Sequence, residues 1–219
     1  FVGWEDDETV VRNDAVTMPE RVPFGQHLLT PSLGHPAPVV IASYAFENAL
    51  FGMEPALFHV TNVGLHAATS ALIVLILLGL GCGARVAAAS GLLFAVHPAC
   101  VEPVSWVSGR RELLAALFTV LSLRAFLAAR AAGDGLRSRL PAMVFQVLAA
   151  LSAPAGLVLP AVFLVLDRGA KRGRAAWIAG AAFSIVLATL ALEIDRDGAA
   201  LRATGDAGLP GVATRVLAS

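Results

Sequence analysis

Two acidic residues near the beginning of this sequence could carry out acid–base chemistry. Asp6 and Asp7 are adjacent in the segment WEDDE. A carboxylate held at the edge of an apolar surface can accept a proton from a hydroxyl nucleophile and so act as a general base. Adjacent acids are also common in solvated loops, so the pair alone does not decide between these two interpretations.

A second group of polar residues lies about one hundred positions later, between two apolar runs. Arg110 and Arg111 could bind a phosphate through forked hydrogen bonds. Arginine at a helix start opposes the helix dipole, which favours a bound anion over a simple lipid-headgroup anchor. His97 and Glu102 could pair with each other or orient Arg110, whereas Trp106 could be an interfacial belt residue. None of these residues has the spacing of a zinc site, and no metal ligand set is predicted.

The composition predicts a membrane protein. Hydrophobic residues make up 57% of the 219 residues, above the range typical of soluble domains, and the mean hydropathy is +0.74. The net charge is zero and the basic residues are scattered. Nucleic acid is therefore excluded as an expected partner, and the lipid bilayer is the first partner predicted.

Apolar runs predict an all-α, polytopic helical bundle. Spans are expected at residues 58–80, 113–132 and 175–192, and residues 84–96 are apolar but short for a crossing. The predicted organisation is a single membrane domain over 1–219, truncated at both ends. It contains an outer loop over 1–55, transmembrane helices over 56–193 and the beginning of a further outer loop over 194–219.

Positive charges predict the orientation of the bundle. The positive-inside rule places three basic connections in the cytoplasm, formed by Arg85, by Arg130, Arg137 and Arg139, and by Arg168, Lys171, Arg172 and Arg174. Residues 140–167 then begin and end on the same side, so they are predicted to be a short pair broken at 152–154 that lines a cavity. This topology puts Cys82 and Cys100 on opposite faces and excludes a disulfide between them.

The N-terminal outer loop is expected to contain a short interfacial helix. Residues 39–50 are amphipathic, with Val39, Val40, Tyr44, Phe46 and Leu50 forming the apolar face. Glu47 and Asn48 are predicted to face water. A plain surface loop is the alternative.

The first predicted span carries three polar residues on one face. His59, Asn62 and His66 have i, i+3, i+7 spacing. Polar groups in a bilayer are costly, so this face should line a wet cavity or form hydrogen bonds between helices. The loop over residues 97–112, here called the arginine loop, contains Arg110 and Arg111. If this loop and the acids of the outer loop meet across such a cavity, the site fits transfer of a group from a lipid phosphate to a hydroxyl acceptor.

Four ordered blocks resemble one known family. They read WEDDETVVRNDAV, FGMEPALFHVTNVGLHAATSALIVLILL, HPACVEPVSWVSGRRELLAALF and LSAPAGLVLPAVFLVLD. In this order they resemble the membrane half of the transmembrane and tetratricopeptide-repeat-containing proteins, in the protein O-mannosyltransferase-like branch of the GT-C glycosyltransferases. The pattern HP-x-x-VE-x-V-x-W-x-x-GR is the most specific of the resemblances.

The resemblance implies a function. It implies a GT-C fold, a polyprenyl- or dolichyl-phosphate sugar as donor, and a protein Ser or Thr hydroxyl as acceptor on the non-cytoplasmic face. It implies that Asp6, with Asp7, takes the hydroxyl proton during an inverting attack on the anomeric carbon. Arg110, helped by His97, would then stabilise the departing lipid phosphate. No cofactor beyond this donor is firmly implied.

The sequence departs from the family in ways that bear on activity. Relatives have Arg-Pro where this chain has His35-Pro36, and a Lys where it has Ala153. The first membrane helix and the repeat domain of the family are also not found in this sequence. Losing two cations removes possible phosphate contacts, each worth about 1.5–3 kcal/mol. Two further classes therefore stay open: a non-catalytic membrane anchor for a repeat domain, and a transporter with its site at the broken pair.

Overall fold

The part of the chain that the structure describes is almost entirely helical. The computed structural model describes residues 6–22, 31–32, 35–132 and 136–166. The N-terminal part contains a π-helical turn (Asp7–Val11), α1 (Asp14–Thr17), a 3-10 turn (Pro19–Arg21), a two-residue antiparallel ladder of β1 (Pro31–Ser32) with β2 (His35–Pro36), and α2 (Pro38–Phe51). The bundle follows, with α3 (Pro55–Gly79), α4 (Ala84–Ala95), a 3-10 turn (Pro98–Cys100), α5 (Val101–Ser105), α6 (Arg110–Ala131), α7 (Leu136–Ala150), a 3-10 turn (Pro154–Val158) and α8 (Leu159–Leu166).

Proline and glycine set the helix boundaries. Pro38 and Pro55 each lie at the first position of a helix, where the missing N–H would have no intrahelical partner. Gly52 ends α2 with φ +72°, a left-handed conformation that glycine adopts without steric cost. Between these boundaries only residues 52–54 connect α2 to α3, and the Thr61 hydroxyl of α3 donates to the Glu47 carboxylate of α2.

Two helices are long and apolar enough to cross a membrane. They are α3, with 25 residues, and α6, with 22. A third crossing exists if α4 and the segment Pro98–Ser105, bent by 50° at a short break, form one span. This search covers only the residues described above. The predicted all-α membrane fold is confirmed, and the chain is an integral membrane protein.

The buried residues form two hydrophobic clusters at different heights of the bundle. The first joins the N-terminal turns, α2 and the start of α3 and α6, through Val10, Val16, Tyr44, Phe58 and Leu114. The second joins α6, α7 and α8 further along the chain, where the Phe126 and Phe163 rings stack at 4.7 Å. Two members of the first cluster contact Arg110: the guanidinium carbon lies 4.5 Å from the centre of the Tyr44 ring and 5.2 Å from that of Phe58.

The short helix predicted over residues 39–50 exists as α2, but the prediction that Glu47 faces water is wrong. Glu47 is buried, with 5% of its surface exposed, whereas Phe46 is 68% exposed and Leu50 is 57% exposed. Asn48 donates a hydrogen bond to the Val16 carbonyl at 3.0 Å instead of facing bulk water. The helix therefore packs its Glu47 side inwards and leaves Phe46 and Leu50 on the surface.

The helix α7 ends at Ala150, and helical structure resumes at Pro154. The interruption falls at residues 151–153, where the sequence predicted a break. Gly156 is required here because a Cβ atom at this position would lie 2.3 Å from the Ala149 backbone. Whether the pair dips into the membrane and lines a cavity stays a prediction. The span at 175–192, the tail and the basic residues at 168–174 lie outside the described residues.

Candidate functional site

A short loop before α6 is held from three directions. The Asn62 side chain donates to the Trp106 carbonyl at 2.8 Å, and the Tyr44 hydroxyl donates to the Val107 carbonyl at 2.6 Å. The Ser108 N–H donates to the Asp6 carboxylate at 2.9 Å. Three consecutive residues are thus bonded by α3, by α2 and by the N-terminal segment. These contacts fix the loop backbone directly before Arg110 and Arg111, which the sequence analysis predicted to be site residues.

The two acids of the N-terminal segment have different surroundings. Asp6 is 2% exposed and binds the Ser108 N–H, so a residue 102 positions away holds it against the arginine loop. The side chain of Asp7 is 37% exposed and lies 3.8 Å from an Arg12 guanidinium nitrogen. Asp6 therefore faces the loop, whereas Asp7 faces solvent.

Arg110 is fully buried. Its Nη1 atom lies 2.5 Å from a Glu47 carboxylate oxygen, its Nε donates to the Asn62 side-chain oxygen at 2.9 Å, and its Nη2 donates to the Phe58 carbonyl at 3.0 Å. The guanidinium carbon lies 4.5 Å from the centre of the Tyr44 ring. A buried charge is tolerated only when it is paired and hydrogen-bonded, and here both conditions are met.

The acid that pairs with Arg110 is itself fixed. The Thr61 hydroxyl donates to the second Glu47 oxygen at 2.6 Å. Burial raises the pKa of the neighbouring Tyr44 phenol well above its ordinary value, and the nearby Arg110 opposes that rise only in part. Tyr44 therefore stays neutral and keeps its hydrogen atom for the Val107 carbonyl.

Local sequence explains the shape of the chain before the loop. The His97 Nδ1 atom accepts from the Ala99 N–H at 3.2 Å and caps a 3-10 turn that begins at Pro98. Gly109 then packs directly on α5, because a Cβ there would lie 2.4 Å from the Pro103 carbonyl oxygen. Four positions of the pattern singled out in the sequence thus have structural roles, namely His97, Pro98, Gly109 and Arg110.

A pocket of about 300 Å³ opens beside this loop. It is bounded by α5, the loop and the first turn of α6, and its walls consist of Ala99, Glu102, Pro103, Trp106, Ser108, Gly109, Arg111 and Glu112. Arg111 is paired with Glu112, with its Nη2 2.8 Å from the carboxylate oxygen. Arg110 does not line the pocket, although it is the next residue in the chain.

The remaining predicted residues are divided between the site and helix packing. Asn62 is buried in the Arg110 network, and the His66 Nε2 atom lies 3.0 Å from the Ala95 carbonyl of α4. Both therefore connect helices, which was one of the two expectations for that face. His59 is half-buried one turn before Asn62 on α3. His35 lies in β2, paired with Ser32, and its side chain is outside the described residues.

Sequence reasoning missed Glu47 as a partner of Arg110. A signal for it exists, because Glu47 follows Val40 by seven residues and Tyr44 by three, which is the spacing of one helix face. All three are buried. An acid on the apolar face of a helix indicates a buried cation elsewhere, but the sequence does not say which one. Among the described residues, no group of three His, Cys, Asp or Glu side chains could hold a metal ion.

Comparison with known proteins identifies relatives. The chain is 34% identical over 134 residues to human protein O-mannosyl-transferase TMTC2, covering 56% of this chain and 16% of the human protein. It is 32% identical to the Xenopus laevis protein O-mannosyl-transferase tmtc2 over 134 residues, which are again 56% of this chain and 16% of the relative. The chain is similar to the TMTC proteins. Human TMTC4 is 36% identical over 99 residues, or 39% of the chain and 13% of that TMTC protein.

These similarities have defined limits. The chain spans about one sixth of the length of the TMTC2 proteins that it matches. No family model and no solved structure matches the chain. The resemblance to TMTC proteins predicted from the four sequence blocks is confirmed by these matches. The printed names of these relatives describe protein O-mannosyl-transferases, and the activity of the present chain is considered next.

Proposed function

We propose that this protein transfers a mannose-like sugar from a polyprenyl- or dolichyl-phosphate donor to a Ser or Thr hydroxyl of a protein. The observation that carries the proposal is the hydrogen bond between Asp6 and Ser108. It holds an acid of the N-terminal segment against Ser108, a residue of the pocket wall. The TMTC relatives, which are named protein O-mannosyl-transferases, supply the class of reaction.

The proposed reaction is a single displacement. The acceptor hydroxyl gives its proton to a carboxylate while its oxygen forms a bond to the anomeric carbon. The bond between that carbon and the phosphate oxygen breaks, and the departing lipid phosphate keeps the electron pair. Attack from the side opposite the phosphate inverts the anomeric configuration. The polytopic membrane fold of the GT-C enzymes would hold the lipid donor beside the pocket.

We assign the general base to Asp6 rather than Asp7. Asp6 contacts Ser108, which lines the pocket, whereas Asp7 is directed towards solvent and Arg12. A base must approach within hydrogen-bonding distance of the proton that it removes. Asp6 is itself buried and does not line the pocket, but it is bonded to Ser108, which does, so a small movement of this wall would bring it to the acceptor hydroxyl. Asp7 contributes negative charge at the outer edge.

The arginines have separate tasks in this proposal. Arg110 is buried against Glu47 and positions the loop, so we do not place it in contact with the donor phosphate. Arg111 lines the pocket and is the arginine that we place nearest to the donor phosphate. Glu102 also lines the pocket, whereas His97 caps the preceding turn. The reaction would take place outside the cytoplasm, at the end of the bundle away from Arg85 and Arg130.

The test compares two conservative substitutions in the full-length natural protein in membranes. Asp6→Asn keeps an oxygen that accepts from the Ser108 N–H but removes the base. We expect it to lower the rate of mannose transfer to an acceptor protein by about 10²–10⁴-fold. Asp7→Asn serves as the matched control and should retain most of the transfer. Both variants should insert into the membrane in wild-type amounts.

Each pattern of results has a clear meaning. Loss of transfer only in Asp7→Asn would move the base to Asp7. Full transfer in both variants would exclude the acidic pair from the reaction. That last result would favour a non-catalytic membrane anchor, a function consistent with the use of Asp6, Asn62 and Arg110 in packing.

A further inference from the structure

We propose that the exposed face of α2 lies in the lipid bilayer and that α2 thereby couples the lipid to the position of the arginine loop. The helix has two opposite faces, of which one is apolar and exposed and the other is bonded to the loop. The partner is the hydrocarbon edge of a phospholipid leaflet. The proposal adds a membrane dependence to the site and holds whatever reaction the site carries out.

The exposed face of α2 consists only of apolar side chains. Ala42, Phe46, Ala49 and Leu50 are all exposed, and their i, i+4, i+7, i+8 spacing places them on one side of the helix. The only acidic or basic residue of α2 is Glu47, which is buried on the other side. A helix that borders water normally has charged side chains on its outer face. This face therefore indicates an apolar partner.

The neighbouring helix indicates that this partner is lipid. α3 begins three residues after α2 ends and has 25 residues, so it is about 37 Å long, whereas the hydrocarbon core is about 30 Å thick. The start of α3 therefore lies close to the boundary between hydrocarbon and headgroups. Val60 and Val63 are exposed on its first turns. Exposed apolar side chains thus continue from α2 into a membrane-spanning helix, and the lipid around α3 is within reach of Phe46 and Leu50.

The opposite face of α2 holds the arginine loop. The Tyr44 hydroxyl donates to the Val107 carbonyl, and the Glu47 carboxylate pairs with Arg110 at the end of the loop. Both contacts come from buried side chains of one rigid helix. If α2 lost its lipid contact and shifted, these two contacts would shift with it, and the loop backbone would open more often.

The first test asks what covers Phe46. A spin label is attached to Phe46→Cys in the full-length natural protein, freed of its other cysteines and placed in phosphatidylcholine nanodiscs. We expect the label to collide more often with oxygen, which concentrates in lipid, than with a water-soluble nickel chelate. Arg12→Cys is the control, because the Arg12 side chain is highly exposed on the N-terminal segment, and its label should collide more often with the chelate.

Two results of this test would overturn the proposal. Access of the nickel chelate to the label at Phe46→Cys, as at Arg12→Cys, would mean that the face borders water. Poor access of both reagents would mean that protein covers it, either a second copy of the chain or another segment of the same protein.

The second test measures the coupling by hydrogen exchange in the same nanodiscs. The double variant Phe46→Ser with Leu50→Ser makes the lipid face polar, and we expect the amides of residues 107–109 to exchange about tenfold faster than in the wild type. The matched control is Leu140→Ser with Val144→Ser, which changes an exposed apolar pair of the same spacing on α7. This control should leave the loop amides unchanged. Phe46→Leu stays apolar and should also exchange as the wild type does.

The exchange pattern decides whether the coupling is local. Amides around Phe126, in the second hydrophobic cluster, should keep their wild-type exchange in the α2 double variant. Unchanged exchange of the loop amides in that variant, an equal rise in the α7 control, or a rise that includes the amides around Phe126 would overturn the coupling.

Discussion

At the scale of single residues, Arg110 shows how burial changes the meaning of a charged side chain. From its position at the start of an apolar helix, the sequence analysis predicted that Arg110 binds the donor phosphate. In the structure it is completely buried and its guanidinium contacts Glu47, Asn62 and the Phe58 carbonyl. Such a charge has lost its water, so its internal partners must stay in place. Arg110 therefore connects α2, α3 and α6.

We predict that Glu47→Ala strongly destabilises the protein. Removing one partner of a buried ion pair leaves an uncompensated charge, which typically costs about 3–5 kcal/mol. The measurement is the change in thermal unfolding of the detergent-solubilised protein. Arg12→Gln is the control, because it breaks an ion pair whose arginine side chain is 77% exposed and should cost about 1 kcal/mol or less. Equal stability of Glu47→Ala and wild type would contradict the role of the pair.

At the scale of elements, the connection from α5 to α6 forms the pocket. The chain turns within four residues and its backbone is bonded by three other segments. This turn requires Gly109, because the start of α6 lies directly against the Pro103 backbone. The close approach places Trp106 and Arg111 on the same pocket wall. A side chain at position 109 would separate them.

We predict that Gly109→Ala disrupts this arrangement. The added methyl would lie 2.4 Å from the Pro103 oxygen, and the backbone would have to move. The expected cost is about 1–3 kcal/mol of stability. Gly64→Ala is the matched control, because a Cβ in that position of α3 has no neighbour within 4 Å. It should be neutral or slightly stabilising in the same unfolding assay, since alanine favours a helix interior. An equal response of the two variants would show that the contact with Pro103 does not matter.

At the scale of the whole molecule, the polar residues lie at one end of the bundle. The start of α3, the end of α4, α5 and the start of α6 meet there, together with the N-terminal segment. Arg85 and Arg130 mark the opposite ends of α4 and α6. The positive-inside rule predicts that this opposite end faces the cytoplasm. The candidate site would then face the other compartment.

The two cysteines of the sequence allow this orientation to be measured. Cys82 precedes α4 and Cys100 follows it, and both are free thiols. We expect a membrane-impermeant maleimide to label Cys100 from the non-cytoplasmic side of sealed cells. Cys82 should react only after the membrane is permeabilised. Cys82→Ser and Cys100→Ser separate the two signals. Labelling of Cys82 in sealed cells would reverse the predicted topology.

The sequence by itself determined the membrane class, the two long spans, the interruption near Pro154 and the resemblance to TMTC proteins. These features depend on local hydrophobicity, on proline and glycine chemistry, and on the order of short motifs along the chain. Only the tertiary structure decided that Glu47 pairs with Arg110, that Asp6 holds Ser108, and that Arg111 rather than Arg110 lines the pocket. The physical reason is that such pairings depend on where distant helices meet, and the pattern of residues within one helix does not contain that information.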